Sequence, residues 1–268
     1  MKKIIALLLS LSMVFAFAAC SNGKTATTDT NTKTASDYDY IKNKGTMVIG
    51  ITDYEPMNYK EEGSDEWTGF DTEFAKLVGE KLGVNVEFKE IEWDNKIPEL
   101  NSKSLDCVWN GMTLTNEVTS SMECTKPYVV NAQVVVMAAD KVDSYKDADS
   151  MKDLKFAAES GSAGEAAITE AGFANYTAVT AQSDALMEVA SGSADACVID
   201  ITMAKAMTGK GTSYENLATG ISLTEEEYGI GFRKGSDMAE KVNAIINELK
   251  EDGSLQKLAD KYELTLTE

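Results

Sequence analysis

Apolar runs of strand length alternate with stretches of helical spacing, and the alternation occurs twice along the chain. "TMVIGI" is a continuous apolar run of the kind buried in parallel sheets. "GFDTEFAKLVGEKLGV" then carries Phe70, Phe74, Leu77, Val78 and Leu82 at the spacing of one helix face. Asp71 is its expected N-cap and Gly83 its stop. "VNVEFKEI" alternates as a strand does, "DNKIPELNSKS" is a short helix with Pro98 in its first turn, and "LDCVWN" is a third strand. Strand, helix, strand, helix, strand is the pattern of an α/β sheet rich in parallel pairs.

A second unit follows "AQVVVMAAD". "LKFAAESGSAGEAAITEAG" reads as strand, Gly-rich turn and helix, "NYTAV" as a strand, "SDALMEVASG" as a helix and "ADACVID" as a strand. "NSKSLDCVWN" and "ASGSADACVID" resemble each other: a helix end, a small-residue turn, an Asp, then an apolar strand closing on a polar group. The chain returns through "EEEYGIGFRKG" and ends in two helices, the first marked by Met238, Val242, Ile245, Ile246 and Leu249 and capped by Ser236 or Asp237. The expected body is therefore two α/β lobes, 41–130 with 228–268 and 131–227, joined by extended crossings near 128–133 and 226–229. Ligands of open α/β sheets bind beyond the carboxyl ends of the strands, so a cleft between "VWNG" and "VID" is the expected site.

Charge and composition remove several functions. The net charge of -19 argues against nucleic acid and against a basic patch docking on anionic lipid. There is no His, which removes the commonest general base and metal ligand, and Arg233 is the single Arg. No cysteine pair has metal-ligand spacing, so neither a metal nor another cofactor is expected. Lys2 and Lys3 precede an apolar run ending in "FAAC". Residues 1–19 therefore read as a lipoprotein signal peptide, with Cys20 as the lipidated first residue and Phe17 departing from the usual lipobox Leu. The Thr-rich stretch 20–40 reads as a flexible tether. The remaining Cys107, Cys124 and Cys197 are odd in number and read as free thiols.

The segments "YEPMNY", "WTGFDTEFAKLVGEKLGVNVEF", "WNGMTLTNE", "PYVVNAQVVV", "GSADACVID" and "YGIGFRKGSDMAEKVNAIINELKEDGSLQKLADKY" resemble, in this order, the family-3 solute-binding proteins of polar amino-acid ABC importers. The resemblance covers the chain from about Gly45 to Tyr262. It implies a two-lobe type II periplasmic-binding fold that shuts by hinge motion over an amino acid and delivers it to membrane permease subunits. It further implies a monomer held by lipid at the outer face of the cytoplasmic membrane, on the extracellular or periplasmic side.

Carried over residue by residue, the resemblance makes Asp200 the carboxylate for the ligand ammonium, a charge-assisted contact. An N-cap of the helix "ITMAKAM" is the plainer reading of the same residue. Tyr54 and Trp93 become aromatic walls. Asn110, Gly111 and Thr113 line the cleft, where Gly111 admits close backbone approach; a helix cap at Thr113 or Thr115 is the alternative. Ser162 and Ala163 face the ligand from a helix start. Asp53, Trp109 and Glu159 are further candidates for ligand contact, and core packing is the simpler account of Trp109. The family places an Arg seven residues after the Gly, clamping the ligand carboxylate, and Val118 stands there instead. With Asp53, Glu55, Glu159 and Asp200 as the acids offered by the surroundings, the expected ligand is zwitterionic or cationic. Two alternatives remain: a fold-related lyase of the cyclohexadienyl dehydratase type, for which Glu159 is the candidate acid, and a ligand-sensing lipoprotein.

Overall fold

A computed structural model describes residues 36–268. The signal peptide, Cys20 and most of the stretch read as a tether lie outside the described residues. The helix Asp37–Lys44 begins inside that stretch, which corrects its end: Ser36 caps the helix, Ile41 is buried, and Arg233 pairs with Asp37 at 2.9 Å.

Two sheets carry the body. The first runs in the order Asn85–Glu90, Thr46–Ile51, Cys107–Thr113, Glu226–Arg233, Met122–Cys124, with Val129–Asn131 also paired to Glu226–Arg233. Its first three strands are parallel, and Glu226–Arg233 is antiparallel to Cys107–Thr113. The second runs Tyr176–Val179, Phe156–Glu159, Ala196–Asp200, Gln133–Ala138, Leu217–Ser222. Here too the first three strands are parallel, and Gln133–Ala138 runs against them. The crossings are thus strands in their own right. Val129–Asn131 belongs to the first sheet and Gln133–Ala138 to the second, and the chain returns between Ser222 and Glu226.

Helices cover these sheets with the faces expected from their spacing. Phe70–Leu82 buries Phe70, Phe74, Val78 and Leu82, and Phe74 meets Trp109 edge-on at 4.9 Å between ring centres. Gly83 ends the helix in the left-handed conformation at φ 65°. Asp71 is not its cap: Gly69 holds that position and the Asp71 side chain turns inward. Met238–Glu251 buries Met238, Val242, Ile245, Ile246 and Leu249.

The internal similarity has a physical cause. Asp106, before the Cys107–Thr113 strand, accepts the backbone N–H of Val48 at 2.8 Å, at the neighbouring parallel strand. Asp195, before Ala196–Asp200, accepts the backbone N–H of Lys155 at 2.9 Å, just ahead of its own parallel neighbour. Both acids satisfy a backbone donor where a parallel pair begins, a point where the ladder leaves one unpaired. Each half then delivers a strand end to the same place: Asn110–Thr113 from one sheet, Asp200 from the other.

Candidate functional site

A cavity of about 360 Å³ lies between the carboxyl ends of the two sheets. That is within the usual range for a small-molecule site. The first sheet's side contributes Trp93, Lys96, the 110–113 segment and the 115–118 turn, and the second sheet's side contributes Glu159, the 161–163 turn, Gln182 and Asp200. Thr224 and Glu226, from the returning crossing, close one edge.

Of the residues singled out in the sequence, Trp93, Asn110, Gly111, Thr113, Glu159, Ser162, Ala163 and Asp200 line this one cavity. Tyr54, Trp109 and Asp53 do not. Tyr54 is buried beneath it, and its hydroxyl lies 2.5 Å from both Thr202 Oγ1 and Tyr228 Oη. Trp109 is core, and Asp53 is exposed.

The strand end after Trp109 is committed more to the fold than to an open rim. Asn110 donates through Nδ2 to Thr52 Oγ1 at 2.7 Å and accepts through Oδ1 from Asn58 at 2.8 Å. Gly111 sits at φ 54°, and a Cβ there would lie 2.6 Å from Tyr54 Cε1, so only glycine fits without displacing that ring. Its N–H donates to Asp71 Oδ2 at 2.6 Å, on a carboxyl that does not line the cavity. Thr113 donates to Glu226 Oε1 at 2.7 Å. Thr115, not Thr113, caps the helix Asn116–Ser121 by accepting from the Val118 N–H. Val118 is buried and gives the cavity an apolar wall.

Asp200 stands at the N-cap position of Ile201–Met207 but makes no capping bond. Its carboxylate instead accepts from the side-chain amides of Asn131, Gln133 and Gln182. Glu226 Oε1 takes donors from Asn131 at 2.6 Å and Gln133 at 2.7 Å, so the two carboxylates share both amides. Burial first, and the nearby Glu226 charge second, hold the Asp200 carboxyl above the usual carboxylate range. Glu159 is also buried and pushed up, by burial and then by Asp200. Its Oε1 has no hydrogen-bond partner.

Sequence reasoning missed Lys96, Glu226 and the amides of Asn131, Gln133 and Gln182. Lys96 had one signal: it precedes Leu100 by four residues, on the face the short helix buries. A charge on such a face is unusual enough to mark a site.

The sequence profile of the bacterial extracellular solute-binding proteins, family 3, matches residues 47–265. The chain belongs to this family. The L-cystine-binding protein TcyA of Bacillus subtilis is 31% identical over 225 residues, 83% of this chain and 82% of that protein. The arginine-binding extracellular protein ArtP of the same organism is 29% identical, over 82% of this chain and 86% of its own length. Among solved structures, an ancestral amino acid-binding protein described as a precursor of cyclohexadienyl dehydratase superposes with a TM-score of 0.77 at 32% identity. That match covers 85% of this chain and 99% of the other. An ancestral arginine-binding protein bound to arginine matches at 32% identity and a TM-score of 0.75, covering 81% and 98%. These neighbours share the type II periplasmic-binding architecture of two α/β lobes.

Proposed function

We propose that this family member is the substrate-binding component of an ABC importer. It captures a zwitterionic or cationic amino acid between lobe 1 (41–130 with 228–268) and lobe 2 (131–227) and hands it, without turnover, to permease subunits. The lobes close about the two strand crossings. Cys20 carries the lipid that keeps the monomer at the outer face of the cytoplasmic membrane.

One observation carries this reading: the two sheets direct their strand ends, with Asp200 on one side and the 110–113 segment on the other, into a single cavity. The known binding proteins it resembles, for cystine and for arginine among others, support an amino acid as the ligand class. The acids around the cavity (Glu117, Glu159, Glu170, Asp200 and Glu226) favour a ligand bearing an ammonium.

The test is a thermal-shift screen of protein refolded from denaturant, against the twenty amino acids, L-cystine and simple polyamines. A ligand at a hundred times its Kd stabilises the folded state by about 2.7 kcal/mol. At least one amine-bearing amino acid is expected to raise the midpoint. Stabilisation by glutamate alone, or turnover of a prephenate-like acid, would overturn the reading.

A further inference from the structure

The family's arginine is absent, and Arg233 cannot replace it. Its guanidinium is buried elsewhere, donating through Nε to Asp37 at 2.9 Å and through Nη1 to the Leu105 carbonyl at 2.6 Å. The cavity nevertheless holds one cation. Among the described residues, Lys96 is the only basic one that lines it.

Lys96 is poorly satisfied for a buried ammonium. Its Nζ donates to the Gly161 carbonyl at 2.8 Å and to the Trp93 carbonyl at 3.3 Å, and it lies 4.9 Å from the centre of the Trp93 ring. An ammonium has three donors, and these two acceptors are neutral. Among the described residues, no ion pair includes Lys96. The same cavity contains Glu159, buried, with Oε1 unpartnered. A buried cation and a buried carboxyl that leave each other unpaired are both costly, and a ligand carrying opposite charges would satisfy both.

We propose that Lys96 is the seat for the ligand carboxylate, in place of the missing arginine, and that Glu159 faces an ammonium of the same ligand. The assignment rests on the transport reading above. Lys96 belongs to the first lobe and already reaches Gly161 in the second, so a carboxylate at Nζ adds an ion pair at a point where the lobes meet. Burial lowers the Lys96 ammonium in the unliganded protein, with Glu117, Glu159 and Asp94 as the acids facing it and opposing that shift. A carboxylate partner would oppose it further. A lysine is a point charge without the fork geometry of arginine. The clamp is thus tolerant of how the carboxylate is turned, which suits a site chosen by charge separation.

The experiment compares ligands with and without the carboxylate: L-arginine against agmatine, and L-cystine against cystamine, by calorimetry on wild type, Lys96→Met, Lys96→Gln and Lys96→Arg. Gln keeps a neutral amide donor on an arm one bond shorter than that of lysine, so it remains informative where Met impairs folding. Wild type is expected to prefer the carboxylate-bearing member of at least one pair. Met and Gln are expected to reduce that preference at least tenfold, and Arg to retain most of it. A preference within twofold of wild type in both neutral variants overturns the Lys96 assignment alone. A wild type that binds no amino acid at all overturns the transport reading with it.

Discussion

Two buried aspartates, one in each lobe, start from similar circumstances and end in different roles. Asp71 and Asp200 are both almost fully buried, and burial is the first cause of a raised carboxyl in each. Their partners differ in kind. Asp71 accepts from the Gly111 backbone at 2.6 Å and from the Tyr128 hydroxyl at 2.8 Å, donors fixed by a strand and by a buried aromatic cluster. It does not line the cavity. Asp200 accepts from the side-chain amides of Asn131, Gln133 and Gln182, which can turn, and it shares two of them with a second carboxylate at the cavity wall. A carboxyl held by rigid donors fixes a fold. One held by movable donors at a cavity can exchange them for a ligand.

The largest expected effect is in pH dependence, where burial raises both carboxyls and Asp71 can be read apart from the cavity. Burial pushes the Asp71 carboxyl up to about 7. Its unfolded value is near 4, so the folded state holds the proton more tightly. The resulting stability is fully present below pH 4 and is lost as pH rises through 7. At about 1.4 kcal/mol per unit of pH, the whole window is worth about 4 kcal/mol. The difference in unfolding free energy between wild type and Asp71→Asn, by chemical denaturation from pH 4 to pH 8, should shrink by an amount of this order. A difference independent of pH would mean that Asp71 is ionised throughout, and the contrast would lose its basis.

Next is the cost of losing each side chain at pH 5, where the Asp71 carboxyl is protonated. Asp71→Ala orphans the Gly111 N–H and the Tyr128 hydroxyl in a dry core, a loss of about 3 kcal/mol. Asp200→Ala frees amides that retain Glu226 and the cavity, so under about 1 kcal/mol is expected. Equal losses in denaturation curves would erase the distinction between the two sites.

The same distinction explains what the sequence disclosed. Periodicity located the strands and helices because their residues repeat on a regular face: Met47, Ile49 and Ile51, or Phe70, Phe74 and Val78. It also brought Asp200 and the 110–113 segment to one place, since a strand end is legible as an apolar run turning polar. Asp71 looked like a cap because its partners, Gly111 and Tyr128, lie far along the chain. Glu226 and Lys96 were not singled out: Glu226 stands in a run of three acids, and a helix as short as Lys96–Asn101 offers only the pairing of Lys96 with Leu100 to mark its buried face. Gly111 was legible as a close approach, though what approaches is Tyr54 rather than a ligand.

The smallest expected effect is the one that reports on function. Asp200→Asn keeps the shape of the side chain but removes its charge and turns one acceptor oxygen into a donor. It should weaken the amine that stabilises the wild type most by at least tenfold in calorimetry, about 1.4 kcal/mol. Asp71→Asn, which lies outside the cavity, should change that Kd by less than about twofold. The Asp200→Asn variant has no carboxyl to desolvate, so its unliganded melting midpoint at pH 8 should rise while its affinity falls. That opposition is the mark of a binding acid kept at a cost to the empty fold. An unchanged Kd would return Asp200 to the structural class that Asp71 occupies, and would leave Glu159 as the acid that faces the ligand's ammonium.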